Sequence, residues 1–588
     1  MTLDSAHSET ADLLPTGQTT QVMGSRWMVV AGHPLAAQAA ARILEAGGNA
    51  VDAGVAAGIC LGVVHPDMVS VAGVAPIIVH LARARETWTV SGVGGWPRGA
   101  SVEVFRQRFG GEIPVGIART VVPAAPDAWC TALARWGRLS FAQVALPAIE
   151  CAERGFPISD FSARRIEASQ EACRRWPTSA ALFLPDGRPL KVGERLVQSE
   201  LARTLRLMAE AEHLAAGRGR AEAILAARDQ FYKGEIARAI CDYHREHGGL
   251  LTLEDLAEFQ VEVSPALTGS FHDLEVATCG FWCQGPALLQ ILNLLEPYDL
   301  AERGHNSPFY LHLLIEAIKL AFADRHAYYG DPAQIKVPAD GLLSKAYALA
   351  RRTLIREDRA WPEMAPPGDP YGLSAVREGT GWPQEVALGG PSAVADTSYV
   401  AVVDAEGNAF SATPSDNPSM DSPVIPGVGC VVSPRGSQSW LDPDHPSAVA
   451  PGRRPRLTPS PAMVFKDGRL FMPFGTPGGD VQLQAMLQVF LNIVVFGMMP
   501  QRAVEAPRVA SRSFPDSFWP HPAFPGQLRV EGRIPSEVTS ALSDLGHGVQ
   551  TWPRWEWRAG AVCGIVVAPD GTLLAGADPR RASHAIGW

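Results

Sequence analysis

Cysteine is scarce in this chain, and its count is odd. Nine cysteines are spread over 588 residues, so they cannot all pair within one molecule. Only Cys279 and Cys283 lie close together, and no second Cys or His pair follows at the spacing of a zinc site. We therefore expect thiols that lie in the core, rather than a disulfide scaffold, and a protein that needs no metal or other cofactor.

Long apolar runs and an excess of basic residues are also missing. The longest apolar stretches, 55–64 and 489–499, are too short to span a bilayer. Lys and Arg number 51 against 61 Asp and Glu, so the chain lacks the basic footprint of a nucleic-acid-binding protein. Residues 1–22 have neither the basic nor the apolar region of a secretory signal. We expect a cytoplasmic protein whose partners include neither nucleic acid nor membrane.

The composition that remains is typical of a soluble globular protein with a large core. Apolar residues make up 46% of the chain and charged residues 19%. Helical patterns dominate as far as residue 329, and short strand patterns return after residue 397. Between them, 356–396 is rich in Pro and Gly and keeps no period, which predicts a surface connector. The predicted divisions are a flexible tail at 1–22, a large region at 23–355, the connector at 356–396 and a small region at 397–588.

The clearest local pattern comes directly after the connector. A β-branched run at 399–404, a Glu-Gly-Asn turn and a second run at 409–413 predict a β-hairpin that begins just after Thr397. Further on, the glycine-rich turn at 475–479 precedes an apolar helix predicted to begin at Asp480. Taken alone, a threonine before a strand and a glycine turn before a helix are ordinary structural features.

Six blocks of sequence, in one order, resemble the γ-glutamyltranspeptidase family of N-terminal-nucleophile hydrolases. The blocks are 31–66, 248–259, 315–332, 396–413, 452–468 and 475–488. The resemblance covers nearly the whole chain and implies an α+β fold, a four-layer αββα sandwich. It also implies one precursor that cleaves itself into a large and a small subunit, and it leaves open a dimer of these heterodimers.

The same resemblance implies a processing site and a catalytic set. Cleavage between Asp396 and Thr397 would free the α-amino group of Thr397, whose pKa of about 7.7–8.0 suits a general base for its own hydroxyl. Ser415 matches a family hydroxyl that is usually Thr, and Asn417 matches a family amide. The backbone N–H groups of Gly478 and Gly479 match the donors that stabilise the oxyanion.

The substrate-binding positions depart from the family pattern. Val93 aligns with the arginine that holds the γ-glutamyl carboxylate in the transpeptidases, and Gln438 aligns near the acidic residue that pairs with the substrate amine. Arg435 stands near a family amide, and Leu457-Thr458 replaces a pair of serines. Arg435, Gln438 and Thr458 are the predicted substrate-binding residues, with Arg435 as either the binding site of a small acyl carboxylate or a solvated cation.

These departures lead to three functional hypotheses. The first is a self-processing amidohydrolase of a small or acyl-type amide with water as final acceptor, as in the branch typified by oxamate amidohydrolase. The second is a γ-glutamyl hydrolase or transferase acting on glutathione-like substrates, or a cephalosporin-type acylase. The third is a scaffold that binds an amide without turnover, which the joint presence of Thr397, Ser415, Asn417 and the glycine pair argues against.

Overall fold

The computed structural model describes residues 20–378, 388–389, 397–416 and 420–588. Two large antiparallel sheets dominate these residues, with seven strands each. The strands of the first sheet are, in spatial order, Val22–Gly24, Leu573–Ala577, Cys563–Val567, Arg469–Gly475, Ala462–Lys466, Leu274–Thr278 and Leu267–Phe271. Those of the second sheet are His584–Gly587, Met28–Ala31, Val400–Val403, Ala409–Ala412, Ile77–Leu81, Glu86–Val90 and Val263–Pro265.

The predicted hairpin after Thr397 forms the centre of the second sheet. Its strands, Val400–Val403 and Ala409–Ala412, pair antiparallel with Val400 opposite Ala412. Because successive side chains of a strand point to opposite faces, Val400 and Val402 pack toward the outer helices, whereas Ala401 and Val403 face the first sheet. The two sheets therefore stack face to face, and each has helices on its other side. The four-layer αββα sandwich is confirmed.

The outer layers account for the long helical patterns of the sequence. The helices on the side of the second sheet bury alanine-rich and leucine-rich faces. They are Pro34–Glu45, Ala50–Val64, Ala125–Trp136, Phe141–Arg154, Asp160–Ala168, Ser199–Leu214, Arg220–Lys233 and Glu235–Glu246. The first sheet is covered by Gly285–Leu295, Pro308–Tyr328, Lys345–Arg352, Gln482–Val494 and Ser536–Asp544. No helix among the described residues is long and apolar enough to cross a membrane.

A third, smaller sheet lies beside the sandwich. Its strands are Val509–Ser511, Gln527–Glu531 and Gly548–Trp552, the first pair antiparallel and the second pair parallel. Leu528 and Val530 point into the core below the first sheet. The opposite face, which carries Arg529 and Trp552, is turned toward a cavity described below.

The predicted connector is partly packed rather than wholly exposed. Within 356–378, Ala360, Met364 and Ala365 are buried, and the amide N–H of Gly368 donates to Asp324 at 2.9 Å. These contacts are isolated and follow no helix or strand period, so periodicity could not reveal them. Farther along, Gly389 donates to the carbonyl oxygen of Ala523 at 2.9 Å.

Candidate active site

Thr397 lies buried at the entrance to the central hairpin. Its Oγ1 is 2.6 Å from the Oγ of Ser415, eighteen residues later, and its backbone N–H donates to the carbonyl oxygen of Met68 at 3.1 Å. The contact between Thr397 and Ser415 forms because the two strands of the hairpin are antiparallel, so the residues after the second strand lie beside those before the first. Thr397 has φ of +101°, a left-handed value that is uncommon for a β-branched residue. Two predicted site residues, Thr397 and Ser415, are thus brought together.

Ser415 is held from its other side by a buried ion pair. The Nε atom of Arg435 donates to a carboxylate oxygen of Asp416, and its Nη2 atom donates to Ser415 Oγ. Ser433 Oγ donates to the second carboxylate oxygen of Asp416. Arg435 and Asp416 are both almost fully buried, so these bonds exchange little with water. Sequence reasoning overlooked Asp416, although it stands between two predicted residues, Ser415 and Asn417.

We expect Arg435→Lys to lower kcat by about tenfold or more and to affect anionic and neutral amides equally. A lysine ammonium can replace one of the two bonds but cannot reproduce the fork to Asp416 and Ser415, so the Thr397 hydroxyl loses its fixed neighbour. Steady-state kinetics on a matched pair of amides measures the effect. The hypothesis that Arg435 binds the substrate carboxylate predicts instead a KM increase confined to the anionic amide.

The glycine-rich turn meets the hairpin across the two sheets. A side chain at Gly475 would place its Cβ 2.3 Å from the ring of Tyr399, so only glycine allows this approach. Gly478 and Gly479 have φ of +136° and +58°. In the part of the chain that the structure describes, neither of their backbone N–H groups has an acceptor. The turn thus offers two preformed donors, as an oxyanion site requires.

The helix after this turn begins later than predicted. A 3₁₀ turn occupies Gly479–Val481, and the α-helix is Gln482–Val494 rather than one that begins at Asp480. The N–H of Val481 donates to the carbonyl oxygen of Gly478 at 3.1 Å, a bond of the 3₁₀ type that takes the place of a first α-helical bond. Asp480 instead anchors the turn, because it accepts hydrogen bonds from Arg325 at 2.5 Å and from Ser517 Oγ at 2.6 Å. Burial alone would raise the pKa of Asp480, but Arg325 and Arg456 lower it below the usual range.

Gln438 and Thr458 lie beside the same turn. Gln438 Nε2 donates to Thr458 Oγ1 at 3.0 Å, and Gln284 Nε2 donates to the carbonyl oxygens of Thr458 at 2.7 Å and Gly479 at 3.1 Å. The structure therefore connects both predicted residues to the glycine-rich turn, while their contact with a substrate stays a prediction. Val93 is buried in the apolar cluster between the sheets. Its uncharged side chain cannot replace the arginine that holds the substrate carboxylate in the transpeptidases.

Two predicted residues, Asp396 and Asn417, lie outside the described residues. The structure also places Arg581 beside Thr397, although no sequence motif indicated this residue. Its Nη1 atom donates to the carbonyl oxygen of Thr397 at 3.3 Å, and its guanidinium stacks 5.2 Å from the ring of Trp557. Arg581 is 184 residues from Thr397 in sequence, and no local pattern signals a contact made by the fold alone.

The loop that carries Gln438 is held by a cluster of buried histidines. The ring of Trp440 lies between those of His445 and His521, with centroid distances of 4.4 and 3.6 Å. His445 Nδ1 accepts the N–H of Ser447 at 3.0 Å, which requires that nitrogen to be unprotonated. Ser447 Oγ in turn accepts the N–H of Arg456 at 3.0 Å. Protonation of His445 Nδ1 would therefore break its hydrogen bond with Ser447 and disturb the neighbouring bond between Ser447 and Arg456.

We expect acid to destabilise the fold through His445. Burial, followed by the charges of His326, Arg456 and His521, lowers the pKa of His445 well below 6.5. The unfolded chain gains a proton below about pH 6.5 while the folded chain does not, so this contribution is complete above pH 6.5 and falls by about 1.4 kcal/mol per pH unit below it. Urea unfolding of an uncut variant at pH 7, 6 and 5 measures the loss.

The matched control for this experiment is His445→Asn, which removes the titrating group but keeps an acceptor for the Ser447 amide. We expect a smaller decrease in the free energy of unfolding between pH 7 and pH 5 in this variant than in the parent. An unchanged pH dependence would place the acid sensitivity elsewhere.

A candidate metal-binding set lies away from this site. His312, Glu316 and His547 are buried with ligand atoms within 4.8 Å of one another. However, the Lys319 ammonium donates to Glu316 at 2.7 Å, and the N–H of Trp361 donates to the other carboxylate oxygen at 3.0 Å. A positive charge already pairs with the carboxylate, so a structural ion pair explains this cluster better than a cation site does.

A cavity of about 240 Å³ opens on the glycine turn. We call it the turn cavity, and its wall includes Gly478, Gly479 and Phe518. The ring of Phe518 lies 5.4 Å from the guanidinium of Arg435. The cavity is therefore adjacent both to the N–H donors and to the residues that hold Ser415.

Comparisons with known proteins agree with this arrangement. The family profile described as Gamma-glutamyltranspeptidase matches residues 36–588. The "Acylase ACY 1 proenzyme" of Pseudomonas sp. (strain SE83) is 37% identical over 566 residues, which cover 94% of this chain and 92% of the relative. The "Glutathione hydrolase-like YwrD proenzyme" of Bacillus subtilis (strain 168) is 32% identical, covering 96% and 99%. The crystal structure of cephalosporin acylase from Bacillus halodurans is similar with a TM-score of 0.84 at 29% identity, covering 97% of each chain.

Proposed function

Because this chain belongs to the gamma-glutamyltranspeptidase family, we propose that it is a self-processing amidohydrolase with Thr397 as its nucleophile and water as its final acyl acceptor. The observation that carries the proposal is the pairing of Thr397 Oγ1 with Ser415 Oγ at 2.6 Å, with two backbone donors available at Gly478 and Gly479. The relatives named above are proenzymes, which agrees with a precursor that is cut. Large and small subunits would then come from this single chain.

Self-cleavage would proceed by an N→O acyl shift. Thr397 Oγ attacks the carbonyl carbon of residue 396, the C–N bond to Thr397 breaks, and the nitrogen receives the hydroxyl proton. Water then hydrolyses the resulting ester, which releases the carboxylate of residue 396 and restores the Thr397 hydroxyl. Ser415 Oγ, at 2.6 Å, keeps the hydroxyl in place during the attack.

Substrate hydrolysis would reuse the same hydroxyl with a new base. The freed α-amino group takes the Oγ proton as Oγ attacks the amide carbonyl, and the proton passes to the leaving amine when the C–N bond breaks. The N–H groups of Gly478 and Gly479 stabilise the oxyanion. Water then attacks the acyl-enzyme and releases the carboxylic acid.

Hydrolysis of an acyl-type amide is favoured over γ-glutamyl transfer by the binding positions. Val93 supplies no cation for an amino-acid carboxylate, and Gln438 supplies no negative charge for its amine. Each missing contact is a charge-assisted hydrogen bond of about 1.5–3 kcal/mol. The names of the relatives, an acylase and a glutathione hydrolase-like protein, correspond to the two activities of the second hypothesis, an acylase and a γ-glutamyl hydrolase.

The test is amine release from a panel of p-nitroanilides by the processed protein. The panel contains acyl p-nitroanilides of several lengths and γ-glutamyl-p-nitroanilide, each with and without glycylglycine as acceptor. We expect turnover of acyl p-nitroanilides that glycylglycine does not accelerate. Faster release from γ-glutamyl-p-nitroanilide with formation of γ-glutamylglycylglycine would establish the transferase alternative, and processed protein without turnover of any amide would overturn the proposal.

A further inference from the structure

A second cavity lies at the end of the sandwich opposite Thr397. Its volume is about 610 Å³, and it shares no wall residue with the turn cavity. The strand Val400–Val403 leads from Thr397 to this cavity, and the strand Arg469–Gly475 leads from the cavity to the glycine-rich turn. Because the second strand has seven residues, the cavity and the turn lie roughly 20 Å apart. We call this space the far cavity.

The far cavity is enclosed by the turns that join neighbouring strands of both sheets. Four are hairpin turns, at 82–85, 404–408, 467–468 and 568–572, and the fifth is the loop 25–27 that connects the first sheet to the second. Because both sheets end here, the cavity continues the apolar layer between them. Val403, Leu470 and Leu573 belong both to that layer and to the cavity wall.

Three arginines reach the far cavity from three different turns. Arg26 comes from the loop between the sheets, Arg85 from a turn of the second sheet and Arg469 from a turn of the first. All three are exposed, and in the described parts of the chain none of their guanidinium groups forms an ion pair or a hydrogen bond. A single exposed arginine is an ordinary solvated cation. Several cations around one cavity repel one another, however, and a bound anion relieves that repulsion.

The carboxylates in the wall do not neutralise these three charges. Asp404 accepts hydrogen bonds from the N–H of Ala50 at 2.9 Å and from the side chain of Asn408 at 3.0 Å, so it already stabilises the turn of the central hairpin. Asp467 is exposed and, among the described residues, pairs with none of the three arginines. His80 is buried, and burial lowers its pKa, so its ring stays neutral at pH 7. Positive charge therefore exceeds negative charge in this wall.

The rest of the wall and the size of the space favour an organic ligand over a simple ion. Val403, Leu470, Val567 and Leu573 supply apolar surface beside the arginines. The ring of His80 adds a flat face, held by Phe465 with ring centroids 4.9 Å apart. The volume of about 610 Å³ lies within the range of roughly 300–1,000 Å³ that holds a drug-sized ligand. An inorganic ion would fill only a small part of it.

We propose that the far cavity binds an organic anion, a molecule with an apolar body and a carboxylate or phosphate group that Arg26, Arg85 and Arg469 hold. The apolar body would cover Val403 and Leu573, which removes their surface from water. Guanidinium groups suit the charged end because they bind carboxylates and phosphates through two parallel hydrogen bonds. This site is separate from the proposed active site, and its occupancy does not depend on the proposed hydrolase function.

Calorimetric titration with four matched compounds tests both parts of this recognition. The compounds 2-naphthyl phosphate and 2-naphthoate carry the body and the charge, 2-naphthol carries the body alone, and inorganic phosphate carries the charge alone. We expect each naphthyl anion to bind at least about tenfold more tightly than 2-naphthol or inorganic phosphate, and more weakly as NaCl is raised. The tighter of the two anions identifies phosphate or carboxylate as the preferred group.

Variants of the wall locate the binding. Arg85→Gln and Arg469→Gln should each raise the Kd of the tighter anion by about tenfold. Arg83→Gln is the matched control, because Arg83 is exposed on the same turn as Arg85 but does not line the cavity. Thermal unfolding followed by circular dichroism shows that each variant has folded, without reliance on self-cleavage.

Three results would overturn the site. They are an equal Kd in the parent and in both wall variants, binding of 2-naphthol as tight as that of the anions, and no binding of any of the four compounds. None of these results would bear on the hydrolase function, because the altered arginines lie outside the proposed active site. Conversely, a protein that hydrolyses no amide could still bind the anion in the far cavity.

Discussion

The Thr397→Ala variant is expected to remain one chain of 588 residues and to lose amide hydrolysis by at least about 10⁴-fold. Under the proposed mechanism both results have one cause, since the same Oγ would attack the chain's own carbonyl and later the substrate. The unaltered protein should yield fragments 1–396 and 397–588, and the smaller one should begin Thr-Ser-Tyr-Val. Gel electrophoresis and N-terminal sequencing measure the first effect, and p-nitroaniline release measures the second.

Thr397→Ser is the control for the alanine variant, because it keeps a hydroxyl at the same position. It should still cut itself, although the loss of the methyl group makes its rotamer less restricted. Cleavage at another residue, or full activity in a chain that stays uncut, would remove Thr397 from the role of nucleophile.

Gly479→Val is expected to lower kcat by about 10²–10³-fold, the cost of losing one oxyanion donor. A β-branched residue strongly disfavours φ of +58°, so the turn should rearrange and move its N–H group. The nearest atom to a new Cβ is in the ring of Phe518 at 3.6 Å, so the γ carbons of valine would also press on the cavity wall. Steady-state rates of the processed variant on an acyl p-nitroanilide measure the effect.

Gly497→Val separates backbone strain from catalysis. Gly497 has φ of +64°, similar to that of Gly479, but it is exposed and has no atom within 4 Å of the position that a Cβ would take. Both variants should lose a similar amount of stability, whereas only Gly479→Val should lose turnover. Equal rates in the two variants would place the oxyanion site elsewhere.

The sequence predicts the arrangement of the site where the reactive residues lie on one local element. Thr397 and Ser415 are joined by one hairpin, whose strand pattern and turn are visible in the sequence. The glycine pair was found because its motif resembles that of the family. The four-layer fold came from the same resemblance, since helices and strands alone are compatible with several arrangements of layers.

The contacts that sequence reasoning missed are made by the tertiary fold. Arg581 reaches Thr397 from the far end of the chain, and Arg325 reaches Asp480 across 155 residues. Arg435 was predicted to face either substrate or solvent, whereas in the structure it contacts Asp416 and Ser415. A single sequence contains no periodic signal for such contacts, because they depend on how the two sheets and their helices pack.

The backbone of Thr397 has a consequence for the order of events in the life of this protein. Holding a threonine at φ of +101° costs on the order of 1–3 kcal/mol, which the surrounding packing must supply. Only a chain whose two sheets have already assembled can supply it, and cutting the preceding peptide bond removes the constraint. Under the proposed self-cleavage, the cut would therefore come after folding, because only the folded precursor holds Thr397 in this conformation. A precursor that has not folded would then remain one chain and lack the free α-amino group that hydrolysis requires.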